Sequence, residues 1–327
     1  MSTFEPLIVG FVCNECVYAA ADLAGTSRLS YPSNIRLIRV PCSGQVDMIH
    51  ILRAFENGAD GVFVGGCLPE QCHYVDGNEK AEARVLFLKK VLRALGLSEE
   101  RLAMQFMSAA MGSEFARAAY EFTAAVRKLG PNPLKKHRGM DLTMDNKRVM
   151  LREMVLSIAG GLDRSVRDCI EPQPGFGEPS LDMEKCLGCG ACAYVCKNDA
   201  MKAEAADDNV LLKHTYWRCT ACGNCRDACP KECIEVERNF DLIRFLSDEE
   251  ELKAEVGMIA CGRCGSAFLP TLLASEMEKL LQNKSLFSSF LILCPTCRRF
   301  SQAERIRSSH GIQGEWKRRK AKGKSSA

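Results

Sequence analysis

Cys-Leu-Gly-Cys-Gly-Ala-Cys-Ala-Tyr-Val-Cys at residues 186–196 and Cys-Thr-Ala-Cys-Gly-Asn-Cys-Arg-Asp-Ala-Cys-Pro at residues 219–230 repeat one spacing of four cysteines. A cubane iron–sulfur cluster needs four thiolates. A tight loop supplies three of them where Gly188, Gly190 and Gly223 let the backbone curl and turn its N–H groups toward sulfide. Zinc prefers pairs of Cys-x-x-Cys to triplets, so the doubled triplet points to clusters.

The doubled signature resembles the bacterial two-cluster ferredoxin. That resemblance implies an α+β domain in which each repeat lends its fourth cysteine to the other. Cys186, Cys189, Cys192 and Cys229 then hold one [4Fe-4S] cluster, and Cys219, Cys222, Cys225 and Cys196 hold the second. Two departures remove no ligand: Lys197 stands where a proline is expected, and residues 203–214 exceed a minimal hairpin. Cys169 and Cys233 fall outside the pattern and read as buried, apolar-like residues.

Outward from this signature, the chain has 327 residues, 46% of them hydrophobic, enough for two or three cores. Its nineteen cysteines occur in pairs and triplets, which points to metal ligands. Residues 1–6 lack a basic and apolar leader, so the thiols are expected to meet a reducing cytoplasm. No window approaches the ~18 to 20 uninterrupted apolar residues of a membrane span, and direct membrane insertion is not expected. The formal charge of +3 conceals a basic terminus: from Lys317 onward there are six Lys or Arg and no acid. Such a run reads as a solvated tail, not as a nucleic-acid site.

The first ~130 residues alternate short apolar runs (7–12, 35–40, 61–64 and 102–106) with helical spacing (17–23, 48–56, 79–95 and 113–129), the pattern of a parallel α/β sheet. Ligand-binding groups of such sheets gather beyond the carboxyl ends of the strands, where Cys13, Cys42 and Cys67 fall. With Cys16 and Cys72 they point to a metal or cluster site over chance packing, and Gly44, Gly65 and Gly66 permit close backbone approach. The phrases GFVCNEC (10–16), DLAGTSRL (22–29), IRVPCSG (38–44) and GADGVFVGGC (58–67) closely resemble the delta subunit of the methyl-viologen-reducing nickel–iron hydrogenase, over residues 5–134. The resemblance implies one [2Fe-2S] cluster on four of the five cysteines. It also implies electron passage between a hydrogenase or formate dehydrogenase and the flavin subunit of a heterodisulfide-reductase-type, electron-bifurcating complex. A nicotinamide-oxidising module is a further possible donor. His73 reads as a neighbour of the ligands, since thiols suffice.

Toward the carboxyl terminus, Cys261-Gly-Arg-Cys264 and Cys294-Pro-Thr-Cys297 form two knuckles whose four thiols suit tetrahedral zinc, with a third [4Fe-4S] cluster as the alternative. A helix is expected over 270–282, and Asp241 to Glu255 reads as a charged helical connector. The chain is expected to divide into a delta-subunit-like domain (1–134), a helical connector (135–180), a ferredoxin domain (181–240), a small four-cysteine knuckle domain (241–310) and a basic tail (311–327). The function expected is electron transfer. A redox enzyme with its own active site is disfavoured by the absence of an adjacent Cys-Cys pair, of a nickel ligand set and of a Gly-x-Gly-x-x-Gly loop, and by only five histidines. A redox-sensing regulator rests on the basic tail alone.

Overall fold

The computed structural model describes residues 4–136, 146–162, 166–280 and 292–309. They group into two units: Met1–Gly177 with Tyr216–Thr220 and Arg238–Glu249, and Glu178–Thr215 with Ala221–Glu237 and Glu250–Ala327. The basic tail and the apolar stretch around Phe290 lie outside the described residues.

The first unit is built on β1 (Ile8–Cys13), β2 (Ile35–Val40), β3 (Gly61–Gly66) and β4 (Leu102–Phe106), all parallel, in the order β2-β1-β3-β4. Every residue of β3 is buried, as a strand covered on both faces requires. Side-chain alternation assigns the faces. Ile8, Val12 and Phe63 pack with α1 (Ala19–Thr26) and α4 (Gly112–Leu129). Phe11, Val62 and Val64 pack with α2 (Met48–Glu56) and α3 (Gly77–Leu95). The chain leaves β1 for the edge strand β2 and then crosses back to β3. The strand order therefore reverses between β1 and β3, and the carboxyl ends of these strands are where such sheets form their ligand crevice.

Helix α5 (Lys147–Gly161) starts at Asn146, whose side chain accepts the N–H groups of Arg148 and Val149. Its Leu151, Met154, Val155 and Ile158 join the core of the α2–α3 face together with Phe176, Tyr216, Trp217, Phe240 and Phe245. A short antiparallel ladder of β5 (Ile170–Glu171) with Phe240–Asp241 closes this region.

The second unit is antiparallel throughout its sheets. One pairs β6 (Glu178–Leu181) with Ile234–Glu237. In the other, β7 (Met201–Ala206) and β8 (Asn209–Thr215) form a hairpin whose tip holds Asp207 at φ 50°. That sheet continues through Glu250–Ala260 to Ala267–Pro270. The helical connector expected over Asp241 to Glu255 is thus corrected: only Leu242–Leu246 is helical, and an eleven-residue strand follows. The charged residues alternate with buried Ala254 and Val256, a period of two, and serve ion pairs both within this strand and with other strands. Lys253 lies 2.7 Å from Glu178 and 2.9 Å from Glu251, and Lys202 pairs with Glu250. The helix expected over 270–282 is seen as Thr271–Leu280. Among the described residues no helix is long and apolar enough to cross a membrane.

Candidate metal centres

At the sheet crevice, Cys13 ends β1, Cys16 lies in the π-helical turn Asn14–Tyr18, and Cys67 directly follows β3. Their three sulfurs lie within 4.8 Å of one another and are buried. Cys42 follows β2, and Cys72 lies in the loop before α3. The two face the first turn of that helix, where a Cβ on Gly77 would stand 2.3 Å from Cys42 Sγ and 3.4 Å from Cys72 Sγ. Burial opposes ionisation of Cys72, but the backbone N–H groups of Tyr74, Asn78 and Gly77 outweigh it and hold the thiol below its ordinary value. The hydrogen bond from Cys16 brings Cys13 down to about 6 and pushes Cys16 itself up. Five thiols with converging N–H donors fit a small cluster. His73 is exposed and stacks edge-on against Tyr74 at 5.0 Å.

Two residues that the cysteine spacing does not reveal hold these loops. Buried Asn78 donates to the carbonyls of Cys67 and Leu68, at 3.2 and 2.9 Å, and Arg84 donates to those of Gly44 and Val46, at 2.7 and 3.1 Å. Gly77→Ala is expected to abolish most amino-terminal cluster loading while sparing the other centres, read as a loss of about two irons per chain. Full occupancy in this variant would show that the close approach at Gly77 is not required.

In the second unit, the cysteine repeat extends to the backbone. Residues 33 apart share left-handed conformations: Gly188 (φ 67°) with Ala221 (50°), Gly190 (73°) with Gly223 (85°), and Asp199 (51°) with Glu232 (50°). The short helices Ala191–Tyr194 and Asn224–Asp227 also correspond. Cys186, Cys189, Cys192 and Cys229 line one cavity with Leu181, Leu212 and Ile234. Burial pushes Cys192 up to about 12, with Cys186, Cys189 and Cys225 as its neighbours. Burial likewise raises Cys225, which neighbours Cys222 and Cys196. Cys196 Sγ accepts the N–H groups of Ala200 (3.2 Å) and Met201 (3.4 Å). Crowded thiols that resist ionising alone are stabilised as thiolates by a cationic iron core. The local core itself is sulfur-rich, for among the described residues Cys186, Cys192 and Cys233 are three of its seven buried members. Ala221 adopts a conformation that the first repeat gives to glycine. Ala221→Gly is therefore expected to stabilise the chain by about 0.5 to 1 kcal/mol, read as a higher thermal midpoint. A lower midpoint would contradict the strained backbone there.

Cys233, expected as an apolar-like residue, is buried and lines the same cavity, 3.4 Å from Cys229 Sγ. Its position four residues after Cys229 gives no sign of this. Cys169 packs in the α2–α3 core, as its reading anticipates, and burial raises its thiol pKa.

The last centre brings Cys261, Cys264, Cys294 and Cys297 together with all four sulfurs within 4.8 Å. Gly265, at φ 76°, closes the first knuckle and donates to the Cys261 carbonyl. The N–H of Cys294 reaches Cys261 Sγ at 3.3 Å, which brings that thiol down to about 6. Cys297 N–H reaches Cys294 Sγ at 3.4 Å. A tetrahedron with zinc–sulfur bonds of about 2.3 Å has sulfur–sulfur edges of ~3.8 Å, whereas a cubane spreads its thiolates further because each binds a different iron. Cys264 and Cys294 are 3.8 Å apart, so the set fits one metal ion.

Two family profiles match the chain. One is described as methyl-viologen-reducing hydrogenase, delta subunit, and matches residues 8–130; the other is a 4Fe-4S dicluster domain and matches residues 178–230. The iron–sulfur subunit of the F420-non-reducing hydrogenase vhu from Methanococcus maripaludis is 54% identical over 131 residues, covering 40% of this chain and 98% of the relative. The iron–sulfur subunit of the F420-non-reducing hydrogenase from Archaeoglobus profundus is 49% identical over 128 residues, 39% of this chain and 93% of the relative. One subunit of the ferredoxin/F420H2-dependent CoB-CoM heterodisulfide reductase of Methanosarcina acetivorans is 46% identical over 126 residues, 38% of this chain and 16% of that protein.

Proposed function

Because the chain belongs to the family of the methyl-viologen-reducing hydrogenase delta subunit, with a 4Fe-4S dicluster domain downstream, we propose that it is an electron-transfer subunit. In this reading it relays electrons between a hydrogenase, formate dehydrogenase or nicotinamide-oxidising module and a heterodisulfide-reductase-type flavoprotein subunit of an electron-bifurcating complex. Bound clusters supply reversible one-electron transfer. The chain's own residues supply thiolates, N–H donors to sulfur and a dry surround that set where electrons rest.

The observation that carries the reading is the arrangement of the cysteines: sixteen of the nineteen lie in groups suited to metals, and Cys219 joins them by its spacing in the sequence. In our assignment Cys186, Cys189, Cys192 and Cys229 hold one [4Fe-4S] cluster, and Cys219, Cys222, Cys225 and Cys196 the other. Four of Cys13, Cys16, Cys42, Cys67 and Cys72 hold a [2Fe-2S] cluster. The pair Cys42 and Cys72 serves one iron, and two of the close trio Cys13, Cys16 and Cys67 serve the second. Cys261, Cys264, Cys294 and Cys297 hold structural zinc. Thiolates fill each iron site, leaving no open position for a substrate. A heterodisulfide-reductase-type partner is favoured because a similar domain occurs within a heterodisulfide reductase subunit, where it is covalently joined to the rest of that protein.

The test is anaerobic mixing of the viologen-reduced chain with an oxidised heterodisulfide-reductase-type flavoprotein. Cluster reoxidation matched electron for electron by flavin reduction is expected. Disulfide reduction by the chain alone, or no exchange with the flavoprotein, would overturn the proposal.

A further inference from the structure

Arg148 lies in α5, outside both stretches that resemble known families, and its guanidinium is occupied in an unusual way. It lies over the Phe176 ring at 4.0 Å and near that of Phe245 at 5.1 Å, on a platform of mutually packed phenylalanines. From there Nε donates to the Trp217 carbonyl at 2.6 Å, Nη1 to that of Gly175 at 3.0 Å, and Nη2 to that of Cys219 at 2.7 Å. All three nitrogens therefore serve backbone carbonyls, and among the described residues no carboxylate pairs with the side chain. Arg152, one turn on, differs: it has Asp248 at 3.1 Å and Glu153 at 3.6 Å.

A half-buried cation without a counter-ion is destabilising, and an apolar residue would fill the space without that penalty. The penalty is offset where negative charge arrives nearby. Cys219 brings it if the residue is a thiolate on a cluster, because four thiolates leave that cluster anionic and reduction adds a further charge. Three further hydrogen bonds tie this loop in place. Cys219 N–H bonds the Tyr216 carbonyl at 3.0 Å, Trp217 Nε1 bonds Asp248 at 2.9 Å, and the Tyr216 hydroxyl bonds the Asn239 carbonyl at 2.9 Å.

We propose that Arg148 is a positioning residue and counter-ion: it fixes the Cys219 loop in its ligating conformation, and its charge raises the reduction potential of the cluster that Cys219 ligates. This rests on reading Cys219 as a ligand. The electron that the cluster accepts is then partly neutralised by a charge already in place, and no proton need follow it.

The test compares Arg148→Gln, which keeps amide donors without the charge, with Arg148→Lys, which keeps the charge without the three-way fork. Each full-length variant is purified anaerobically, assayed for iron, and titrated by paramagnetic resonance at stepped potentials, with Cys219→Ser as reference. In Arg148→Gln the ratio of reduced to oxidised for one cubane at a fixed potential is expected to fall about tenfold, equivalent to ~59 mV for one electron. The lysine variant stays near the parent, and the remaining centres are unmoved. Failure of the glutamine variant alone to load that cubane would equally support a role for the charge. Parent-like loading and titration of both variants, or an equal shift of the potential in both, would overturn the inference, whereas loss of the cubane from both would support the positioning role of the fork and refute the charge role. If Cys219→Ser keeps every iron, the ligand reading itself fails. If it loses one cubane while both arginine variants match the parent, only the role of Arg148 fails.

Discussion

Cys222→Ser is expected to remove one cubane signal and up to about four of about ten irons per chain, while the amino-terminal centre and the other cubane persist. The confinement of the loss follows from the two sulfur groups. Cys222 and Cys196 neighbour Cys225, whereas Cys186, Cys189, Cys192 and Cys229 line one cavity together, and only Cys192 and Cys225 approach one another across the two groups among the described residues. A serine oxygen cannot match the soft thiolate preferred by iron–sulfur clusters. Iron and sulfide analysis with low-temperature paramagnetic resonance reads the outcome. Unchanged iron would refute the ligand assignment, and loss of both cubanes would show that the two load as one piece.

The second large effect is expected at the carboxyl-terminal knuckles. Among the described residues their buried core is Cys261, Cys294 and Cys297, backed by partly buried Phe268 and Leu293, a small apolar surface to hold two turns together. Structural zinc contributes about 10 to 16 kcal/mol of apparent binding free energy in small zinc-finger peptides, and that energy drives their folding. Cys294→Ser is therefore expected to lower zinc from about one per chain to near zero and to open the knuckles to proteolysis, with iron unchanged. Loss of about four irons in this variant would instead make the site a third cubane.

Where the fold depends on local pattern, it was legible. Ile35–Val40, Met48–Glu56 and Leu102–Phe106 carry clear periodicity or compact apolar runs, and the structure keeps those limits. Placing Cys13, Cys42 and Cys67 at strand ends needed only the alternation of strands and helices. Asp241 to Glu255 is not legible, because a strand whose charges are satisfied by ion pairs has the composition of a solvated helix. The parts of the sites least visible were those made by distant residues. The nearness of Gly77 to Cys42 depends on how α3 meets the loop after β2, and the reach of Arg148 to Cys219 spans 71 residues of sequence. The nearness of Cys233 to Cys229 was hidden for a related reason, since it comes from a turn through Glu232 at positive φ and not from any ligand spacing.

Metal and sulfide content, together with paramagnetic resonance on anaerobically purified, stepwise-reduced protein, tests the proposed wire of three iron–sulfur centres. About ten irons, one zinc, and the signals of one [2Fe-2S] and two [4Fe-4S] centres are predicted. About two irons or fewer per chain would contradict the electron-transfer account.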